Sequence, residues 1–179
     1  MARRRGGGSI GDMLRTVGVF AVLIGAIVAL RSGGRQERSP VVRVDDALVA
    51  ELEAARSAGL PALGPVGLPA AWAPTSARFA RQDPALGGRP LLHAGFVTPG
   101  GAFAALEQST GDVSPALDPV DGTGPAPAGS VAVGDRVAEL TRSREGIATL
   151  TLRTSAGVVV AASGGADERE LAELLAALR

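Results

Sequence analysis

The rhythm of apolar and polar positions changes four times along the chain. From Thr16 to Leu30 (TVGVFAVLIGAIVAL) no residue is charged, and Arg15 and Arg31 bracket the stretch. Met13 and Leu14 extend it to about 18 residues. At ~1.5 Å rise per residue, that is the lower limit for a helix crossing a ~30 Å hydrocarbon core. The bracketing arginines can snorkel toward the two interfaces. Next, Arg31–Pro40 (RSGGRQERSP) is polar and bears glycine, and it reads as a linker. A helical period follows: Val44, Leu48, Val49, Leu52 and Ala55 form an apolar stripe, Asp45 or Asp46 is placed to cap it, and Gly59 and Pro61 stop it.

Beyond the Pro/Gly-rich stretch Leu60–Pro74 the period shifts toward two. Strands are expected over 75–80, 91–98 and 102–109, the last two joined by Pro99-Gly100-Gly101 as a hairpin. Residues 112–129 read as a long Pro/Gly/Asp loop. Further strands are expected over 130–133, 136–142, 147–153 and 157–163, with a second hairpin turning at Thr154-Ser155-Ala156-Gly157. A helix closes the chain: Asp167 and Glu170 have capping-box spacing, Leu171, Leu174, Leu175 and Leu178 make one face, and Arg179 suits the C-terminal dipole. Thr-x-x-Gly occurs at both hairpins, hinting at a repeat too short to establish.

These elements predict an α+β fold: an N-terminal transmembrane helix, then a mostly antiparallel sheet of about six strands flanked by an N-terminal and a C-terminal helix. The chain divides into a short basic cytoplasmic tail (1–12), a transmembrane anchor (13–31), a linker (32–43) and an extracytoplasmic α+β domain (44–179).

Charge sharpens that division. Residues 1–39 hold seven arginines against Asp12 and Glu37, a net +5, while residues 40–179 hold eleven arginines against sixteen acids, a net −5. An acidic domain is a poor nucleic-acid binder, and the basic end suits an anionic membrane surface. Cys, Lys, Asn and Tyr are all absent. The chain therefore has no disulfide, no thiolate chemistry, no Cys-linked lipid and no N-glycosylation site. An uncleaved signal anchor is the favoured reading of residues 13–30; a cleaved signal peptide and a buried helix are its alternatives. Arg3, Arg4, Arg5 and Arg15 precede the segment and Arg31, Arg35 and Arg38 follow it, leaning toward a cytoplasmic N-terminus and a single-pass plasma-membrane protein. Ala21, Gly25 and Ala29 share a helix face and form a candidate homodimer contact within the bilayer.

Several stretches carry a resemblance in order: Gly11-Asp12-Met13-Leu14-Arg15, Leu68-Pro69-Ala70-Ala71-Trp72, Gly95-Phe96-Val97-Thr98-Pro99-Gly100, Leu106-Glu107-Gln108-Ser109 and the helix at Glu170-Leu171. Together they resemble the actinobacterial family known as domain of unknown function 4245, over about residues 11–178. This chain has Val137 where the family is expected to carry a second Trp. The resemblance implies a membrane-anchored envelope protein and no assigned activity. An α/β/α sandwich is a further expectation by analogy.

The search for chemistry yields few candidates. His93 is the only His and, with no Cys, leaves a transition-metal site without ligands. No nucleophile elbow, phosphate loop or dinucleotide fingerprint occurs. Asp112, Asp118 and Asp121 could offer oxygen to a hard cation, although Pro115 and Pro119 break the spacing of a calcium loop. The expectation is no catalytic residue, no cofactor and no metal. Trp72, His93, Glu107 and Gln108 are the candidate binding positions, Trp72 chiefly as a core anchor and Glu107 and Gln108 as rim or surface positions. The favoured function is a non-enzymatic binding or accessory module meeting an unidentified envelope protein or ligand through the sheet or the 112–129 loop. An envelope hydrolase using His93, Glu107 or Asp121, and a lipid or small-ligand carrier, are the alternatives.

Overall fold

Strands whose alternate residues are apolar must find one covering layer, and here both long helices supply it. The computed structural model describes residues 44–117 and 125–179. The expected tail, anchor and linker, the Ala21/Gly25/Ala29 face, and Asp118 and Asp121 lie outside the described residues. Among the described residues no helix is long and apolar enough to cross a membrane.

Helix α1 (Val44–Ser57) leads into β1 (Ala73–Asp83), a 3-10 turn (Pro84–Leu86), β2 (Arg89–Val97), β3 (Phe103–Ser109), a single helical turn α2 (Ser114–Leu117), β4 (Ala126–Val133), β5 (Arg136–Arg142), β6 (Ala148–Arg153), β7 (Val159–Gly164) and α3 (Glu168–Ala176). The strands form one antiparallel sheet in the order β1-β2-β3-β7-β6-β5-β4. Two meanders, β1–β3 and β4–β7, meet only where β3 pairs with β7.

The α+β expectation holds, with seven strands where about six were expected. Each of the seven ranges expected to be extended holds one strand, but β4 begins at Ala126, inside the supposed 112–129 loop, which also contains α2. Pro127 and Gly129 look like loop residues, but β4 is an edge strand, where a missing N–H costs no ladder bond, and a bulge absorbs them between Pro127 and Gly129. The same reasoning explains why β1, the other edge, starts before Pro74 and runs through the polar Arg81-Gln82.

One sheet face carries Leu92, Ala94, Phe96, Leu106, Leu140, Leu150 and Ala162, all in a single core with Leu48 and Leu52 of α1 and Leu171, Leu174 and Leu175 of α3. Both helices thus cover the same face, so the architecture is two-layered rather than the expected α/β/α sandwich. Within the α1 stripe Leu48, Leu52 and Ala55 are buried, whereas Val49 is 56 % exposed. Asp45 and Asp46 stand in the first turn of α1, where their charge favours the helix dipole. The helix ends as the glycine predicted: Gly59 adopts φ 91° and Leu60 N–H donates to Ala55 O at 3.0 Å. At α3, Asp167 accepts from Glu170 N–H at 2.8 Å as the cap. The Glu170 carboxylate does not return the bond; it accepts from Gly100 N–H at 2.9 Å and ties the β2–β3 turn to the helix start. Arg179 donates to Ala176 O at 2.8 Å, as its position beside the helix C-terminus suggested.

The Pro/Gly-rich stretch after α1 is fastened at three points, to β3, to the residues that follow α3, and to β2. Gln108, buried on β3, accepts from Leu63 N–H at 2.8 Å and donates to Leu63 O at 2.7 Å. Gly64 and Arg179 exchange two backbone bonds of 3.1 Å, and Val66 N–H donates to Ala177 O at 2.9 Å. Trp72, 6 % exposed, packs edge-on against Phe96 with ring centroids 6.3 Å apart. Replacing Gln108 by Leu removes both partners of Leu63 while keeping the volume, so two backbone groups are left unpaired. We expect a loss of about 1–3 kcal/mol in urea unfolding at unchanged slope; a loss below about 0.5 kcal/mol would show that water replaces the amide.

Candidate functional site

The second sheet face carries the chemistry. Cross-strand register aligns Arg78, His93, Glu107, Ala161, Thr151 and Glu139 in one row across β1, β2, β3, β7, β6 and β5. His93 lies opposite in orientation to Leu92 and Ala94, as the alternation in β2 predicts. Its Nδ1 stands 2.6 Å from Glu107 Oε1. A carboxylate only accepts, so the ring N–H donates at Nδ1 and Nε2 is left for another partner. The His93 side chain is 27 % exposed and that of Glu107 only 8 %.

Glu107 and Gln108 are therefore not rim or surface positions. β3 sits in the middle of the sheet, and both residues are buried, one on each face. The sequence marked them as polar residues near a strand end; only the β3–β7 pairing, which nothing local encodes, puts them at the centre. Ser109, on the same face as Glu107, is fully buried as well. Among the described residues Glu107 Oε2 and Ser109 Oγ have no hydrogen-bond partner.

A short strap closes one end of this face. Val113 and Leu117 cover Val159 and Ala161 of β7. Arg89 fastens the strap, donating from Nε to Leu86 O at 2.9 Å and from Nη2 to Asp112 O at 3.0 Å. Asp112 spends its carboxylate on this turn, accepting from Ser114 N–H at 3.0 Å and Ser114 Oγ–H at 2.7 Å. Those bonds, with Arg89 nearby, hold its carboxyl below the ordinary carboxylate range. Asp112 is thus a capping residue, and its proposed companions at a cation site lie outside the described residues. Among the described residues no group of three or more His, Asp or Glu side chains is placed to hold a metal ion.

Among the described residues the other end of the face is open: Val97 and Phe103, paired across β2 and β3, are 36 % and 49 % exposed, while Val137, 69 % exposed, stands apart on β5 toward the Arg153–Val159 end. Phe103 leans over Gly95, where an added Cβ would stand 3.0 Å from its ring and 2.6 Å from Ser76 Oγ. That close approach gives a physical reason for glycine inside β2.

The family model described as "Protein of unknown function (DUF4245)" matches residues 5–178. The chain belongs to this family. No curated protein matches it. No solved structure matches it either. The DUF4245 match covers all the described residues but the last, so the two-layer fold and the His93–Glu107 couple belong to a chain whose family carries no assigned activity. Of the four candidate binding positions, the fold brings His93 and Glu107 together, while Gln108 and Trp72 serve the opposite, helix-covered face.

Removing His93 leaves the Glu107 carboxylate buried without its donor. His93→Ala should cost about 1–3 kcal/mol in denaturant unfolding. The double variant His93→Ala/Glu107→Ala should recover part of that loss, giving a coupling energy above about 0.5 kcal/mol. Strict additivity would show that the contact contributes nothing to the folded state.

Proposed function

We propose that this protein is a single-pass, membrane-tethered component of an actinobacterial cell envelope whose domain is a non-enzymatic binding module. The tether rests on the uncharged Thr16–Leu30 stretch between arginines, and the orientation on the basic N-terminal tail. The observation that carries the binding role is the second sheet face: among the described residues no long helix covers it, and the cross-strand pair Val97 and Phe103 reaches solvent from it. Exposed apolar side chains gathered on a rigid surface favour a partner that buries them. In this reading the partner is an envelope protein, and Ala21, Gly25 and Ala29 give the tether a face on which to pair.

The native chain has no Cys, so a single introduced thiol reports location cleanly. Ser109 is too buried to serve; Ser155, at the exposed tip of the β6–β7 hairpin, is suitable. Ser155→Cys should react with a membrane-impermeant thiol reagent in intact cells and stay in the membrane fraction. A photo-crosslinker at Phe103 should capture a partner that one at Glu53, exposed on α1, does not. Labelling only after lysis, or equal capture from both positions, overturns the reading.

A second reading, an envelope hydrolase, is favoured by one observation: Glu107 holds His93 at Nδ1 and leaves Nε2 available, the arrangement of an oriented general base. If it holds, His93→Ala and Glu107→Gln each lower a measured ester or glycoside hydrolysis rate by roughly 10²-fold or more while circular dichroism is unchanged. Rates equal to wild type in both variants eliminate it.

A further inference from the structure

The two edges of the sheet are finished differently. β1 is closed to a further strand: the Glu51 carboxylate of α1 accepts from Phe79 N–H at 2.9 Å, and Arg78 and Arg81 carry charge along the same strand. Charge and an occupied N–H both keep a sheet edge from pairing. β4, the opposite edge, has neither. From Ala126 to Val133 (APAGSVAV) it bears no charged residue, and Ala126 to Ser130 and Ala132 are exposed. Among the described residues no side chain or loop bonds to its backbone from outside the sheet.

The register says which backbone groups are open. Gly134-Asp135 is a two-residue turn flanked by Val133 and Arg136, and residues that flank such a turn bond to each other. Bonding alternates along an antiparallel pair. Val131, like Val133, therefore turns its N–H and C=O toward β5, while Ser130 and Ala132 turn theirs away from the sheet. The bulge between Pro127 and Gly129, and the N–H that Pro127 lacks, confine the usable edge to the segment after them.

We propose that this edge pairs with the β4 of a second copy of this chain, antiparallel about a two-fold axis normal to the sheet. The register that uses both outward residues of each copy sets Ser130 against Ala132 of the second copy, and Val131 against Val131 on the axis. Each Ser130–Ala132 pair then exchanges its N–H and C=O bonds, and the two sheets become one. Two observations favour a second copy over an unrelated strand. An antiparallel self-pair sets a segment against itself, which a charged strand resists through like-charge contacts, and this segment has no charge to oppose. Val131 is also half-buried against the main core, so its counterpart across the axis continues the apolar layer that α3 covers. With β1 closed, head-to-tail growth has no acceptor edge, and the assembly stops at two copies. The inference depends neither on where the chain is anchored nor on what the open face binds.

The chain has no native Cys, so introduced thiols report the contact alone. Opposed residues at a non-hydrogen-bonded site have Cα atoms ~4.5 Å apart, within reach of a disulfide. The full chain carrying Val131→Cys is treated in cells with diamide, which crosses membranes, so the readout is the same on either side of one. Disulfide-linked dimer should exceed that of Arg81→Cys, exposed on the β1 edge, by roughly tenfold. Ser130→Cys and Ala132→Cys should crosslink when coexpressed, and far less when either is expressed alone. Ala132→Pro removes an N–H that the β4–β5 ladder does not use, and should abolish the Val131→Cys dimer. Ser130→Glu/Ala132→Glu keeps every N–H and sets carboxylates opposite one another; it should do the same, and it decides the matter if proline unfolds β4. A Val131→Cys dimer no more abundant than that of Arg81→Cys overturns the proposal, as does one that survives the double Glu variant. A photo-crosslinker at Ala132 that captures a different protein and no second copy assigns the edge to that protein and also overturns it.

Discussion

The pairing of β3 with β7 is the contact on which the rest of the domain depends. Every other strand pair is a hairpin or near-hairpin neighbour that its own turn can align. The β3–β7 ladder alone joins residues fifty to sixty positions apart, matching Ala104 with Gly164 and Ser109 with Val159. Its residues are small where the backbones crowd: Ala104, Ala161 and Ala162 are fully buried, and Gly164 takes φ 142° with Phe103 O where a Cβ would be. An alanine at 164 would collide with backbone, which cannot rotate away as a side chain can. Closing this seam creates the continuous apolar face that α1 and α3 share, and it buries Glu107 and Gln108 back to back.

Those two adjacent residues show how one strand serves both faces. Glu107 meets His93 on the open side, and Gln108 meets the Leu63 backbone on the helix side. Each satisfies its neighbour at the price of desolvating a polar side chain, which is worthwhile only if the geometry is held. The central position of β3 holds it, with ladders on both flanks. Polar groups so placed make the register of β3 costly to shift, because a one-residue slip would turn Gln108 toward the open face and Glu107 into the apolar core.

The local parts of this arrangement were legible in the sequence and the non-local parts were not. The stripe Leu171, Leu174, Leu175, Leu178 and the stop at Gly59 describe single helices, so they read correctly. Both Thr-x-x-Gly hairpins also read correctly, because the Thr side chain and the glycine build the turn between them: Thr98 and Thr154 accept from the N–H four residues on, at 3.2 Å each. A third turn of the same construction, Ser143 to Gly146, joins β5 to β6. It escaped notice because Ser stands where the others have Thr. β4 was misread where Pro127 and Gly129 contradicted its pattern. The couple of His93 and Glu107 is set by the β2–β3 hairpin, but its burial depends on the β3–β7 ladder, which no turn aligns. Trp72 read correctly as a core anchor.

That stretch, Leu60 to Ala71, has the composition of a mobile connector and the attachments of a structural arm. It is bonded to β3 through Gln108, to the chain's last residues through Gly64 and Val66, and its end is stapled by the Trp72–Phe96 contact. It should therefore move with the sheet as one body and show slow amide exchange at Leu63, Gly64 and Val66, unlike a free linker of the same sequence. An arm held this way keeps its path whatever its outward side chains are, so exposed positions such as Val66 and Ala70 can change in sequence while the frame that presents them stays unchanged.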